Sequence, residues 1–354
     1  MESFRIYRGS HIPLVTIVER LCERVTGMNS CRRISILTSL AVATAGGLVV
    51  GAGPASAGHV SCGQTINVST TLDANVGPCS TGLVIGANNV TLNLNGFTIT
   101  GTGAAGDNVG VEISGRTGVT VKGGTITLFN AGVAISGGSG NTVTAMTLTN
   151  NRSSTTFDFG EGVNVFNSTG NTISYNRIRN NGPYGGISLI RASNNLIEHN
   201  QITGNNQSPT NTSGIRVENV GVNASNGNTI RYNLVQGSGL DGIQLFARAS
   251  DNRVHNNSVL QNNRDGITAF AGASRNIIED NQTRYNGRGP IAGSGIYIRA
   301  AAGTIAAPAN NVIRRNISTN NFQFDLRDGS PNCGSNVWSA NQGITGTPPC
   351  VFNP

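Results

Sequence analysis

Two aspartates, Asp241 and Asp265, have a residue type and a spacing that could serve acid–base chemistry. Each begins an Asp-Gly-Ile triplet, and the two triplets lie 24 residues apart. A carboxyl pair hydrolyses a glycosidic bond when the groups stand ~5–5.5 Å apart for retention of configuration, or ~6.5–9.5 Å apart for inversion. The same pair could instead bind a Ca²⁺ ion that relieves the repulsion between like charges. Asp-Gly is also ordinary turn chemistry, which gives the pair a purely structural interpretation.

The segments that begin at these two aspartates are copies of one pattern. They read DGIQLFARASDNRVHNNSVLQNNR and DGITAFAGASRNIIEDNQTRYNGR, and three asparagines recur with the same period of 24 residues. Self-similarity at such a period is typical of a solenoid. Within each copy, apolar residues form short alternating clusters separated by Asn and Gly, and no cluster is long enough for a helix.

This pattern predicts about three short strands in each repeat, joined by tight bends. Stacked repeats would form parallel sheets around an apolar interior, because one repeat cannot bury its own apolar edge. We therefore predict an all-β chain with a single-stranded parallel β-helix of roughly ten coils. Asp241 and Asp265 would then lie one coil apart, with their backbones about 4.8 Å from each other.

A second pattern, N-x-[IV]-x-x-N, recurs in successive coils. It occurs at Asn171/Asn176, Asn195/Asn200, Asn228/Asn233, Asn252/Asn257, Asn276/Asn281 and Asn311/Asn316. Asparagines at equivalent bends would stack about 4.8 Å apart and hydrogen-bond along the axis. The residues after the central Ile or Val would face outward and form an ion-pair ladder on the surface. This row is Ser174, Glu198, Arg231, His255, Glu279 and Arg314, and it makes His255 a ladder member rather than a catalyst.

One bend of the repeat varies in length and indicates where a ligand site could be. Residues 151–161, 206–213 and 287–294 form long bends before the next Gly-Ile, whereas residues 263–265 form a minimal one. The strand that follows would expose two rows of side chains. The first row is Asn164, Ser188, Arg216, Gln244, Thr268 and Tyr297. The second row is Phe166, Ile190, Glu218, Phe246, Phe270 and Arg299.

Glu161, Asp241 and Asp265 would lie at the entrance of these strands, with Asp158 nearby. Aromatic rings for sugar faces, arginines for carboxylates and acids for proton transfer would thus gather on one side of the coils. The predicted catalytic residues are Asp241, Asp265, Arg216 and Tyr297. The predicted substrate-binding residues are Asp158, Glu161, Phe166, Glu218, Gln244, Phe246, Phe270 and Arg299. A plain surface of arginine and phenylalanine remains the alternative.

A second chemistry, elimination or epimerisation of a uronate, competes with hydrolysis. It needs a base at C5 and a cation on the carboxylate, and Arg216, Arg299 and Tyr297 could fill those roles. The chain offers a single lysine, Lys122, which lies far along the predicted rod. We therefore predict no lysine base.

The N-terminus has the composition of an export signal. From Met28 it reads MNSCRRISILTSLAVATAGGLVVGAGPASA, with a basic pair, an apolar run and a small-x-small cleavage site at residues 55–57. The sequence predicts four segments: residues 1–57 as N-terminal extension and signal peptide, 58–81 as a cap, 82–323 as the β-helix, and 324–354 as the last coil and cap. A secreted protein without a membrane span would result.

Four cysteines follow the predicted signal peptide, in two pairs with a separation of 17 residues each. Four cysteines allow three pairings. The local pairing, Cys62 with Cys79 and Cys333 with Cys350, needs no contact between the ends of a long rod. Export permits both bridges, each worth about 3 kcal/mol, and they would seal the two ends of the solenoid.

The charge balance excludes some partners. Without residues 1–57 the chain has 18 basic and 14 acidic residues, so its net charge is +4. This mild charge permits an anionic ligand but is no nucleic-acid footprint. We expect a monomer with no cofactor and no resident metal, apart from the Ca²⁺ ion considered above.

The repeats resemble those of the right-handed parallel β-helix proteins of the pectate-lyase-like superfamily, in its carbohydrate-binding and sugar-hydrolysis group. The resemblance covers residues 60–354, and the two ends resemble those of secreted actinobacterial members. It implies a right-handed helix and a polysaccharide or cell-surface glycan as the ligand. It carries over no catalytic residue, because neither the Asp-Pro-His-Asp of mannuronan epimerases nor the Gly-His-Gly of polygalacturonases occurs in the chain.

Two functions are therefore open. The first is a secreted carbohydrate-active enzyme, namely a lyase, hydrolase or epimerase, as fold analogy suggests. The second is a non-catalytic rod that binds glycans or covers a cell surface, as the missing catalytic motifs suggest. A groove with acids in hydrogen-bond reach of its lining would favour the enzyme.

Overall fold

The computed structural model describes residues 56–57, 59–103, 108–153, 160–205, 213–219, 225–301 and 306–352. These residues form short β-strands and two 3₁₀ helices, Pro331–Cys333 and Pro349–Phe352. Within them, no helix is long and apolar enough to cross a membrane. The predicted signal peptide lies outside the described residues except for residues 56 and 57, and Asp158 also lies outside them.

The strands are two to eight residues long. The first sixteen are β1 Ser56–Ala57, β2 Thr65–Ile66, β3 Thr70–Thr71, β4 Val76–Cys79, β5 Leu83–Ile85, β6 Thr91–Asn93, β7 Thr98–Gly101, β8 Val109–Ser114, β9 Thr120–Thr127, β10 Ala131–Ser136, β11 Thr142–Thr149, β12 Val163–Phe166, β13 Thr172–Ser174, β14 Arg177–Arg179, β15 Gly185–Ile190 and β16 Leu196–Glu198. The others are β17 Gln201–Thr203, β18 Ser213–Glu218, β19 Thr229–Arg231, β20 Leu234–Gln236, β21 Ile243–Phe246, β22 Arg253–His255, β23 Ser258–Leu260, β24 Ile267–Ala269, β25 Ile277–Glu279, β26 Gln282–Arg284, β27 Ile296–Ile298, β28 Val312–Arg314, β29 Ile317–Thr319, β30 Leu326–Asp328, β31 Val337–Ser339 and β32 Gly346–Thr347.

The strands stack into two parallel hydrogen-bonded sets. The front sheet has 12 strands, β2, β5, β8, β10, β12, β15, β18, β21, β24, β27, β30 and β32. The other 20 strands form the back sheet. The predicted all-β parallel β-helix is confirmed. The front sheet has more rungs than the roughly ten coils predicted, because two-residue strands in both end segments also join it.

The interior is a set of apolar stacks, one residue from each rung. In the front sheet Ile215, Ile243, Ile267 and Ile296 pair in register, and each is fully buried. Ile243 therefore lies directly over Ile267, as the repeat predicts. Burying such a side chain contributes about 1.5–3 kcal/mol, and the stack fixes the register of every strand.

Asparagine ladders hold the bends of the back sheet, and this prediction is confirmed. One ladder runs through Asn141, Asn171, Asn195, Asn228, Asn252, Asn276, Asn311 and Asn336. The second runs through Asn176, Asn200, Asn233, Asn257, Asn281, Asn316 and Asn341. In each step the side-chain Nδ2 donates to the Oδ1 of the next rung at 2.8–3.1 Å, and the backbone N–H donates to the same oxygen. The carboxamides thus take the place of water for buried backbone groups.

The row beside the first ladder is aligned as predicted, but three of its members, Ser174, His255 and Glu279, are buried instead of exposed. Arg231 Nε donates a hydrogen bond to Glu198 Oε2 at 2.8 Å, as expected for a surface ion pair. Glu279, by contrast, is fully buried beneath Arg253, Arg314 and Arg315. Three long arginine side chains cover one carboxylate, so this part of the row is not an exposed ladder.

Two disulfides join the cysteines in the predicted local pairing. Cys62 bonds to Cys79 with a Cα–Cα distance of 5.3 Å, and Cys333 bonds to Cys350 with 6.2 Å. The first bridge ties the entry of β2 to the end of β4, and the second ties the two 3₁₀ helices. Each disulfide therefore links two segments within the same end of the β-helix.

Candidate functional site

The front sheet brings the two predicted rows together in register. In the first row Asn164 pairs with Ser188, and Arg216, Gln244, Thr268 and Tyr297 follow on successive rungs. In the second row Phe166 leads through Ile190 and Glu218 to Phe246. Side chains alternate across a strand, so both rows point away from the apolar interior.

The first row is far less exposed than expected. Asn164, Ser188, Arg216, Gln244 and Thr268 are all buried, and Tyr297 is half-buried. Arg216 lies against the rings of Tyr184 and Phe246, and Arg299 Nε donates to Thr268 Oγ1 at 3.3 Å, so side chains of neighbouring positions cover part of this row. The solvent-accessible part of this face is therefore formed mainly by the half-buried Phe166, Phe246 and Phe270 together with Arg299.

A continuous arrangement of rings and guanidinium groups runs along this face; we call it the arginine–aromatic column. Its members are Tyr184, Arg216, Phe246, Phe270, Arg299, Tyr297, Arg327 and Phe324. Arg216 lies between Tyr184 at 4.9 Å and Phe246 at 5.0 Å. The Phe246 ring stacks on Phe270 with 5.6 Å between centroids. At the far end, Arg327 lies 4.4 Å from the Tyr297 ring, so attraction between cations and ring faces orders the whole column.

Arg216 is also fixed by an acid of the second row. Its Nε and one terminal nitrogen both donate to Glu218 at 2.8 Å, and both side chains are nearly buried. This ion pair fixes the position of the guanidinium group between its two rings. The predicted uronate partner Arg216 therefore already has a carboxylate of its own.

Asp241 and Asp265 lie on adjacent rungs of the front sheet at the same strand position, as predicted. Asp241 receives Arg264 Nε at 2.7 Å, Gln244 Nε2 at 2.9 Å and the backbone N–H of Asp265 at 3.1 Å. Asp265 receives Arg299 and, at 2.8 Å, the backbone N–H of Ser294. Each carboxylate thus caps the next rung, as the asparagines do in the back sheet.

The triplet Asp-Gly-Ile has a packing reason. A Cβ added at Gly242 would come within 2.3 Å of Val259 Cγ1 and 2.7 Å of Asn262 Nδ2. Only glycine fits where the strand begins so close to the later strand and bend of the same coil. The preceding position carries the aspartate, which accepts a backbone N–H of the next rung.

The two aspartates have opposite electrostatic balances. Burial alone would raise the pKa of Asp241, but the Arg264 guanidinium outweighs it and holds that pKa below its usual value. Burial also raises the pKa of Asp265, and the neighbouring Asp241 carboxylate adds to this rise against the effect of Arg299. As the pH falls, Asp265 therefore takes up a proton before Asp241 does.

Glu161 occupies the same strand position three rungs away but has no arginine in contact. Its Oε1 accepts Asn164 Nδ2 at 2.9 Å, whereas Oε2 accepts no hydrogen bond from a described residue. Burial raises its pKa to about 7 against the weaker effects of Asn164, Ser188 and Arg216. The Ser188 hydroxyl favours the charged form only slightly, because it makes no hydrogen bond of normal geometry.

A family model described as "Right handed beta helix region" matches residues 61–219 and 210–346, most of the chain. The chain belongs to the right-handed β-helix family. This match also supplies the handedness that the sequence resemblance implies. A search of curated proteins found no match.

Solved structures with the same fold include three that we compare with this β-helix protein. The Dettilon tailspike protein has 16% identity and a TM-score of 0.55, over 77% of this chain and 55% of its own. A double mutant of the periplasmic alginate epimerase AlgG also has 16% and 0.55, over 79% and 70%. The alginate lyase from Paenibacillus sp. str. FPU-7 has 12% and 0.50, over 83% and 96%. Such identities show the fold alone, and the chain spans about half the length of the tailspike.

Sequence reasoning missed four members of the site in this β-helix protein. Tyr184, Arg264, Phe324 and Arg327 all contact predicted residues, yet none stands in the two predicted rows. Arg327 could have been found, because β30 pairs with β27 and places Arg327 beside Tyr297. Arg327 was not included in a row because residues 324–354 were predicted to form the last coil and cap. Tyr184 directly precedes β15, and Arg264 ends the first quoted repeat and recurs as Arg288, but the two predicted rows covered only positions within the predicted front strands.

The acids of the site do not form a metal cluster. Across the part of the chain that the structure describes, no three His, Cys, Asp or Glu side chains are grouped to hold a metal ion. Asp241 and Asp265 each contact an arginine instead. The possible Ca²⁺ ion stays a prediction of the sequence.

Proposed function

We propose that this β-helix protein binds an acidic polysaccharide along its front sheet, with the glycan parallel to the helix axis over the arginine–aromatic column. The observation that carries the proposal is the continuity of that column. It extends over the rungs from β15 to β30, which corresponds to about 24 Å at 4.8 Å per rung. Such a length suits a chain of several sugars better than one small molecule.

The chemistry of the column matches a carboxylated sugar chain. Stacked rings expose apolar edges, against which the C–H faces of pyranose rings can lie. A guanidinium stacked on a ring keeps its N–H edge free for a planar carboxylate. Arg327 is such a group, because among the described residues its only side-chain hydrogen bond goes to the amide of Gln323 at 2.6 Å.

The relatives in structure support a polysaccharide as the ligand. Two of the compared proteins are named for alginate, which one epimerises and the other cleaves. The two disulfides favour a non-cytoplasmic location, since such bonds persist in oxidising compartments. Secretion of this protein follows as part of the proposal.

Affinity for acidic glycans tests the proposal. The protein is applied to immobilised alginate and polygalacturonate, with neutral galactan as the comparison, and eluted with a salt gradient. Phe246→Ala should weaken binding to the acidic matrices about fivefold, since one aromatic contact is worth about 1 kcal/mol. Phe322→Ala is the matched control, because Phe322 is a highly exposed phenylalanine outside the column. Equal losses in the two variants, or no retention of the wild type, would contradict the proposal.

Catalysis on the same ligand is the second candidate function. The observation that favours it is the pairing of Asp241 and Asp265 on adjacent rungs with pKa values displaced in opposite directions. Such displacement is what separates a general acid from its charged partner. In this candidate Asp265 is the acid, Asp241 is the charged group, and Arg216 and Tyr297 contact the substrate.

A product assay decides between binding and catalysis. Ultraviolet absorbance reports the double bonds that elimination forms, and a reducing-end assay reports hydrolysis. A hydrolytic activity that Asp265→Asn lowers by about 100-fold or more, with glycan retention unchanged, would establish the dyad. Retention without product from the wild type would leave the protein as a binder.

A further inference from the structure

A second concave site lies before the front sheet, outside the arginine–aromatic column. It is a cavity of about 390 Å³ lined by Gln261, Asn262, Asn263, Tyr285 and Arg288. Its residues come from two successive rungs and precede strands β24 and β27, whereas the column residues Phe270 and Arg299 follow those strands. Volumes of this size accommodate small ligands in other proteins.

The long bend at residues 287–294 forms a fixed wall of the cavity. The backbone N–H of Gly287 donates to Asn262 O, and that of Gly289 donates to Asn263 O, both at 2.9 Å. A Cβ at Gly289 would stand 2.5 Å from the Cβ of Asn263, so the bend rests directly on the rung below. The cavity is therefore a built feature of the bend and not a gap between loose segments.

Several polar groups of the lining have no partner among the described residues. The Arg288 guanidinium lies 5.5 Å from the centre of the Tyr285 ring, and no described carboxylate pairs with it. The Asn263 carboxamide forms no hydrogen bond with a described residue. Gln261 Oε1 accepts Gln236 Nε2 at 2.6 Å, which orients the Gln261 amide and leaves its N–H groups for a ligand.

We propose that this cavity binds one anionic sugar residue, of the hexuronate class. The half-exposed Tyr285 ring supplies an apolar surface for the pyranose, and the amides of Gln261 and Asn263 bond its hydroxyls. Arg288 pairs with the carboxylate, whose planar fork its guanidinium matches. Neutral sugars lack the group that Arg288 recognises and bind less tightly.

Titration with galacturonate, followed by ¹H–¹⁵N spectra of the full-length protein, tests the site. Saturable shifts should centre on the backbone amides of residues 285–289 and 261–263. Arg288→Gln should weaken galacturonate about tenfold, the loss of one charge-assisted hydrogen bond, and leave galactose unaffected. Tyr285→Asn should weaken both sugars, and Asn suits the positive φ of 57° at this position.

Two controls separate this site from the column. Arg284→Gln removes an exposed arginine from the neighbouring strand without touching the cavity, and it should change nothing. Phe246→Ala weakens the column and should leave the galacturonate shifts intact, so either proposal can fail alone. Shifts that map to other residues, or equal effects of Arg288→Gln on galacturonate and galactose, would overturn the inference.

Discussion

Glu279 and Glu161 are both buried glutamates, but they lie on different sheets and their pKa values move in opposite directions. On the back sheet Glu279 accepts hydrogen bonds from Arg253 and Arg314, both at 2.7 Å, and from Arg315 at 2.9 Å. On the front sheet Glu161 is held by one amide and keeps one oxygen without a partner. The back sheet thus satisfies its buried charge, whereas the front sheet leaves one unsatisfied.

The same contrast extends to the neutral groups of the two sheets. Each bend asparagine of the back sheet uses both its oxygen and its amide, and its neighbours repeat it rung after rung. On the front sheet, buried oxygens of Ser188, Ser213, Gln244 and Ser294 have no described partner. Unsatisfied buried groups cost free energy, and several of those among the described residues lie on the front sheet, the face on which we propose that the glycan binds.

Asn257→Ala removes a hydrogen-bonded asparagine from the back-sheet ladder, and we expect it to cause the largest loss of stability. The Asn257 side chain receives Asn233 and donates to Asn281 and Ile230 O, at 2.9–3.0 Å. Its loss leaves about three buried groups unpaired at ~1–3 kcal/mol each, so we expect about 4 kcal/mol less stability in urea unfolding. Glycan retention should not change.

The control for this variant is Asn263→Ala, which removes an amide without a described partner. Its stability should stay within about 0.5 kcal/mol of the wild type. A similar loss in both variants would mean that the ladder contributes no more than an ordinary bend residue.

Glu161→Gln, on the front sheet, should stabilise the protein at pH 8, whereas Asn257→Ala destabilises it. The pKa of Glu161 rises from 4.5 to about 7 on folding, so the wild type loses stability as pH rises from 4.5 to 7. The loss is on the order of 3 kcal/mol at pH 8, and glutamine, which keeps the Asn164 bond, should avoid it. Unfolding measured at pH 4 and pH 8 checks this.

The control is Glu112→Gln, which makes the same substitution at a partly exposed position on β8 of the same sheet. If the stability difference between the wild type and Glu161→Gln is the same at pH 4 and pH 8, the Glu161 carboxyl group is solvated in the folded protein. The front sheet would then carry no unsatisfied buried charge at this position.

The positions of residues that recur in every repeat could be predicted from the sequence. The recurrence of Asn252 as Asn276, and of Ile243 as Ile267, places both pairs correctly, because a fixed period sets one register for all strands. The two front rows followed from the same register. Even the disulfides could be predicted, since a rod keeps its ends apart.

What does not repeat could not be predicted from the pattern. The burial of Thr268 and Gln244 depends on side chains from other rungs, and the ion pairs of Arg264 and Arg299 depend on rotamers. A period assigns a residue to a row but says nothing of what lies over it. The predicted catalytic aspartates were therefore placed correctly, yet their arginine partners were not foreseen.

Glu279→Gln gives the smallest effect and sharpens the comparison most directly. Burial alone would raise the pKa of Glu279, but Arg314 and Arg253 lower it to about 2. Because the folded-state pKa is depressed, the stabilisation is complete above pH 4.5 and is lost as the pH falls towards 2. The arginines are half-exposed, so water screens them and we expect a loss of about 1–2 kcal/mol at pH 7. Glu198→Gln, which removes a carboxylate with one arginine partner, should cost less. If the stability difference between Glu279→Gln and the wild type stays constant down to pH 2, packing and not charge stabilises this bend. The charge of Glu279 would then contribute nothing to the contrast with Glu161.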